Sequence, residues 1–145
     1  MSVGETIPVI KDIFHFTYIR NEGAAFGMLS EHRWVFMTFS TIAIVGIIAY
    51  LIIARPKDKL LCLALTLICA GGIGNMIDRI AYGTVVDFID FRAFPELWKW
   101  IFNGADSFVC VGAGLLILAL IIDLVKEYKA EAAKKNAECR VQNAE

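Results

Sequence analysis

The stretch GGIGNMIDRIAYGTVVDFIDF, Gly71–Phe91, decides how the chain is to be read. Its first seven residues close a long uncharged run, and the fourteen that follow gather Asp78, Arg79, Asp87 and Asp90. Charge collected where an apolar run ends suits a segment that leaves a bilayer. Ionisable groups at membrane depth are costly to keep and are usually functional.

The rest of the chain bears this out. It has 145 residues, enough for one domain, and 58% of them are hydrophobic. An ordinary soluble domain is roughly 45–50% apolar. The mean hydropathy is +0.62, and a net charge of −1 gives no global field for nucleic acid. The apolar residues fall in three uncharged blocks: Trp34–Ala54, Leu60–Ile77 and Ser107–Ile122. A spanning helix needs about 20 apolar residues. The first block suffices, the second is just long enough, and the third suffices if its helix runs from near Phe102 to Val125. The expected fold is therefore mainly α, a polytopic membrane protein with three transmembrane helices at about 34–54, 60–78 and 103–125. A single membrane-embedded domain would cover 1–125, with a charged tail over 126–145. Core helices of a soluble protein are the rival reading, but three such blocks leave little polar surface to cover them.

Basic residues mark the cytoplasmic side. Arg55, Lys57 and Lys59 lie between the first two blocks, and Lys126, Lys129, Lys134, Lys135 and Arg140 follow the third. Residues 1–33 and about 79–106 then lie outside. The outer segments contain two expected strands, Ile13–Ile19 (IFHFTYI) and Thr84–Phe91 (TVVDFIDF), which would pair into a small extracytoplasmic sheet. Pro95–Phe102 (PELWKWIF) has the composition of an interfacial belt. The tail is expected to begin as a helix and then fray. MSVGETIPVI lacks both the basic start and the apolar core of a secretory signal peptide.

Metal and redox chemistry find little support. Of Cys62, Cys69, Cys110 and Cys139, no two have C-x-x-C spacing, and no H-E-x-x-H joins His15 to His32. Carboxylates are the remaining chemistry. Asp87 and Asp106 are nineteen residues apart, and a short excursion out of the membrane and back could bring them face to face. Two carboxylates close together in a low-dielectric pocket cannot both ionise. They share a proton, so one serves as base and the other as acid, as in an aspartic protease. Spacing alone leaves Asp78, Asp87, Asp90 and Asp106 all open, and Asp106 could equally be a helix cap.

Four segments narrow the choice: NEGAAFG (Asn21–Gly27), GGIGNMIDR (Gly71–Arg79), VVDFIDF (Val85–Phe91) and FNGADS (Phe102–Ser107). In order and spacing they resemble the motifs of bacterial lipoprotein signal peptidase, signal peptidase II, over roughly residues 3–125. The resemblance implies a membrane aspartyl protease that cuts diacylglyceryl-modified prolipoproteins before the lipidated cysteine. It implies Asp87 and Asp106 as the catalytic dyad. Asn21 and Asn75 would then be hydrogen-bonding partners for substrate and site, Arg79 would fix local geometry, and Asn103 would orient the dyad. Asp78 and Asp90 become supporting or surface residues. Gly71, Gly72 and Gly74 would allow close helix approach, and Gly23 and Gly27 would permit tight turns. The implied enzyme is a monomer of the bacterial inner membrane, with its site at the extracytoplasmic face and no cofactor or metal. Its partners are lipid and prolipoprotein, not nucleic acid.

The resemblance also implies four spans, and the first is expected to be missing here. An inactive homologue acting as a scaffold is therefore the competing function. A proton-coupled carrier is disfavoured, because the charges collect at one side of the spans rather than at their middle.

Overall fold

The structure, a computed structural model, describes residues 1–22, 33–96 and 98–142. Strand β1 (Thr6–Ile10) and β2 (Phe14–Asn21) come first, followed by helices α1 (Arg33–Ile53) and α2 (Lys59–Tyr82). Strands β3 (Val85–Phe91) and β4 (Ile101–Phe102) then lead into helix α3 (Gly104–Gln142). The sheet is antiparallel throughout, in the order β1-β2-β3-β4. The two expected strands are β2 and β3. β1 and the short β4 extend the sheet beyond that expectation, and Pro8 is tolerated in β1 because β1 is an edge.

Helix α2 is bounded by its caps. Asp58 is extended and its side chain accepts the Leu61 N–H at 2.9 Å. At the other end Gly83 has φ 75°, and its N–H closes onto the Arg79 carbonyl at 3.1 Å. A side chain would be strained there, so glycine sets the stop. The helix thus continues past the expected boundary at residue 78, because Gly83 ends it and not the charged pair Asp78–Arg79. Only Gly83 and Thr84 separate the last turn of α2 from β3, so that turn is held beside the sheet.

Helices α2 and α3 form the main packed pair. A Cβ on Gly71 would stand 2.7 Å from Val109 Cγ2 and would overlap the Ala105 carbonyl. One on Gly112 would stand 2.8 Å from the Ala64 carbonyl. Backbones meet closely at both points, as the glycine pattern of α2 predicted. Gly72 lies against Ile44 of α1 and Gly74 against Ala105. Gly23 and Gly27 lie outside the described residues.

The distribution of polarity is inverted relative to a soluble domain. Large apolar side chains such as Phe39, Ile53, Ile117 and Leu124 are exposed along the helices. Asp87, Asp90, Asn103, Thr17 and His15 are buried. The hydroxyls of Thr38, Thr41 and Thr66 donate to carbonyls four residues earlier, so no helix face carries them unsatisfied. Helix α2 and residues 104–136 of α3 are long and apolar enough to cross a membrane. The described apolar part of α1, Met37–Ile53, is shorter. The tail continues the last span, with α3 helical to Gln142. Its Ala, Glu and Lys content is that of a strong helix former.

Candidate active site

Asp87 sits in β3, and among the described residues it is the largest side chain that is fully buried, with 1% exposure. Its position follows from two neighbours. From β2, Asn21 Nδ2 donates to Asp87 Oδ2 at 3.0 Å. From the start of α3, Asn103 Nδ2 donates to Asp87 Oδ1 at 2.9 Å. Both oxygens are therefore held, from two different elements.

Asp106 is held by the helix it begins. Asn103 is the residue before α3, and its Oδ1 accepts the Asp106 N–H at 2.9 Å. In return Asp106 Oδ2 accepts the Asn103 N–H at 3.1 Å. This reciprocal pair is a capping box with Asn and Asp in place of Ser and Glu. Asp106 is therefore not the cap itself, but the third helical residue that answers it. Its other oxygen, Oδ1, accepts from Asn75 Nδ2 of α2 at 2.6 Å. The close approach of α2 to α3 at Gly71 and Gly74 brings Asn75 within that reach.

Asn103 joins the two carboxylates. Its Nδ2 reaches Asp87, Asn75 Oδ1 at 3.0 Å and the Val86 carbonyl at 3.3 Å, while its Oδ1 faces Asp106. One side chain, 5% exposed, thereby ties β3, α2 and α3 together. Arg79 Nη1 donates to the Asn75 carbonyl at 3.1 Å, and its charge acts on Asp106, Asp87 and Asp78. All six expected site residues converge on one place. The expectation for Asn75 is refined, because it grips Asp106. The remainder of the NEGAAFG segment, residues 23–27, lies outside the described residues.

Electrostatics separates the two carboxylates. Burial pushes the Asp87 carboxyl up to about 6, and the Asp106 charge adds to the rise. The hydrogen bonds from Asn21 and Asn103 and the Arg79 charge work against it without cancelling it. This geometry thus favours a proton on the Asp87 member of the pair. Such a pair can accept a proton from water and give one to a leaving amine without metal or covalent nucleophile.

Sequence reasoning underrated two residues. Asp78 Oδ2 accepts the Val86 N–H at 3.1 Å, which fastens β3 to α2 one residue before Asp87. An aspartate in the last turn of a helix that reaches a strand through two residues was the available signal. Asp90, expected as a supporting or surface residue, is buried, and it receives Thr17 Oγ1 at 2.6 Å and Arg92 Nε at 2.8 Å. Among the described residues no group of three or more His, Cys, Asp or Glu side chains is placed to hold a metal ion.

A family model described as signal peptidase (SPase) II matches residues 1–122. A lipoprotein signal peptidase of Desulfitobacterium hafniense is 43% identical over 129 residues, covering 89% of this chain and 83% of the relative. One from Halothermothrix orenii is 46% identical over 120 residues, covering 83% and 79%. A solved bacterial membrane enzyme superposes with a TM-score of 0.79 at 36% identity, covering 86% of this chain and 75% of that one. The inverted packing, the gathered carboxylates and these likenesses lead to one conclusion: the chain belongs to the signal peptidase II family and is a membrane protease.

Proposed function

We propose that the chain removes signal peptides from diacylglyceryl-modified prolipoproteins as an aspartic endopeptidase, cutting before the lipidated cysteine, with Asp87 and Asp106 as its catalytic pair. The observation that carries this reading is Asn103, which holds both carboxylates in one hydrogen-bonded unit. Asp106 is the member suited to carry the negative charge and draw a proton from water. Asp87 carries the proton that the leaving amine receives. Asn21, Asn75, Asn103 and Arg79 position the pair. An inert scaffold would have no need to enclose a carboxylate, and Asp87 is only 1% exposed.

On this reading residues 1–125 are one peptidase unit in the bacterial inner membrane, and α1, α2 and α3 cross it. The sheet lies on the extracytoplasmic side, and residues 126–145 form the cytoplasmic tail. The signal peptide arrives through the bilayer as a helix and unwinds at the sheet, because a protease needs an extended backbone. Trp98, Trp100 and Phe102 pack edge to face beside the site, a composition suited to the lipid interface. The enzyme acts as a monomer.

The test is cleavage of a diacylglyceryl-modified prolipoprotein in liposomes by the parent, Asp87→Asn and Asp106→Asn. The expected result is a cut before the lipidated cysteine and a loss of roughly 10³-fold or more in each variant. Full activity in either variant would remove that residue from the pair.

A further inference from the structure

Strands β2 and β3 do not pair in a single register. Phe14, His15 and Phe16 face Phe91, Asp90 and Ile89, whereas Ile19, Arg20 and Asn21 face Asp87, Val86 and Val85. The register shifts between Phe16 and Ile19, so Thr17 and Tyr18 together stand opposite Phe88. This is a β-bulge, which breaks ladder bonds locally and re-aims the residues beyond it. Its effect on the site is direct. Carried on without the bulge, the first register would set Tyr18 opposite Asp87 and Asn21 opposite Thr84. A one-residue slip turns each side chain to the other face, so Asn21 would lose Asp87.

The bulge is secured by side chains. Thr17 Oγ1 donates to Asp90 Oδ2 at 2.6 Å and lies 3.0 Å from Thr6 Oγ1. Arg92 grips the same oxygen of Asp90 through Nε at 2.8 Å and Nη2 at 2.5 Å. Asp90 is only 7% exposed and Thr17 only 6%. Three strands are thereby stitched at the residue where the register changes. Burial works to raise the Asp90 carboxyl, but the hydrogen bonds from Arg92 and Thr17 and the charges of Arg92 and His15 outweigh it and hold it below its ordinary value. The carboxylate is therefore charged and paired, not a second proton donor. A buried carboxylate three residues from Asp87 is an unfavourable neighbour unless it does something there.

We infer that Asp90, with Thr17 and Arg92, is a positioning unit that locks the β2 bulge and so holds Asn21 against Asp87. The inference rests on Asp87 being a member of the catalytic pair. It assigns a reaction-related role to a carboxylate whose hydrogen-bond partners are Thr17 and Arg92, not Asp87 or Asp106.

The alkaline limb of kcat/KM provides a readout that mere loss of stability would not move. That limb follows the Asp87 proton, and the Asn21 hydrogen bond lowers the Asp87 value. The charges acting on Asp87 are Asp106 of α3 and Arg79 of α2. Asp78 of α2 acts on Arg79 in turn, and His15 of β2 and Arg92 beyond β3 act on Asp90. Thr17→Val removes the lock and leaves all of these charges in place. The lock predicts that Thr17→Val and Asp90→Ala both move the limb upward, as Asn21→Ala does, and lower kcat/KM roughly tenfold, the scale of one hydrogen bond to a charged group. It further predicts that Thr17→Val adds nothing in the Asn21→Ala background and that Thr17→Ser restores the parent profile. Two results would overturn it: an Asp90→Ala limb that moves downward, which marks a direct charge effect, or a Thr17→Val limb unmoved whether or not the melting point falls. If Asp87→Asn proves fully active, the dyad itself has failed. If Asp87→Asn is inert and Thr17→Val matches the parent, only the lock has failed.

Discussion

Replacing Asp87 by Asn should abolish cleavage and make the folded protein more stable at neutral pH. The Asp87 carboxyl is raised from its ordinary 3.8 to about 6, mainly by burial. The folded state therefore holds this proton more tightly than the unfolded chain does. Stability is fully present below about pH 3.8, is lost as pH rises to about 6, and stays lost above it. A displacement of roughly 2 units at about 1.36 kcal/mol each sets a ceiling near 3 kcal/mol. Halving this for solvent screening leaves about 1–2 kcal/mol for the variant to regain. Asn can also replace the hydrogen bonds. Its Oδ1 can accept from Asn103, whose orientation is fixed by the Asp106 N–H. Its Nδ2 can donate to Asn21 once the Asn21 amide turns over. The measurement is the thermal midpoint in detergent for parent and variant from pH 4 to pH 8. The gain should be largest at pH 8 and should vanish near pH 4. Equal midpoints at pH 8, or a gain undiminished at pH 4, would refute the view that ionising Asp87 strains the fold.

The other predictions concern geometry and protonation. Gly71→Ala drives a methyl into Ala105 and Val109, so it should cost about 1–3 kcal/mol and reduce kcat/KM by separating Asn75 from Asp106. Gly46→Ala, inside α1 and meeting nothing within 4 Å, is the control and should keep the parent kcat/KM with no loss of stability. Asp78→Ala leaves the Val86 N–H without its acceptor and should lower kcat roughly tenfold to a hundredfold. Asp78→Asn, which keeps an acceptor oxygen, should recover most of that loss in single-turnover cleavage. The proposed mechanism needs one proton on the pair, so kcat/KM should fall above a limb near the Asp87 value of about 6. Because bound substrate excludes water further, the limb in kcat should lie at higher pH than the limb in kcat/KM.

Much of the architecture was legible because lipid imposes a coarse code. Uncharged runs of the right length gave α2 and α3, and the glycines of the second block gave the face on which they meet. The dyad was legible only through the motif resemblance, since spacing alone left four aspartates open. The structure separates them by partners: Asp87 and Asp106 share Asn103, Asp78 holds a backbone N–H, and Asp90 is paired with Arg92. The bulge at Thr17–Tyr18 was hidden, because register is set by contacts between strands sixty or more residues apart. Strands β1 and β4 were missed for a related reason: short edge pieces owe their form to the strand they pair with, not to their own pattern. The end of α2 was misjudged by treating charge as the stop, when an αL glycine five residues after Asp78 supplied it.

Helix α3 also acts as a depth gauge. Asp106 opens its apolar stretch, and Asp123, paired with Lys126 at 3.4 Å, closes it. At 1.5 Å per residue the two aspartates lie roughly 26 Å apart along an unbroken rod. The hydrocarbon thickness of a bilayer is about 30 Å. With Asp123 and Lys126 moored at one headgroup layer, Asp106 is set close to the opposite surface, at a height fixed by the count of residues between them. A thicker bilayer would draw the carboxylate below the lipid surface, and a thinner one would lift it clear. With Asp106 in the proposed catalytic pair, the height of hydrolysis relative to the membrane would follow from the length of one helix.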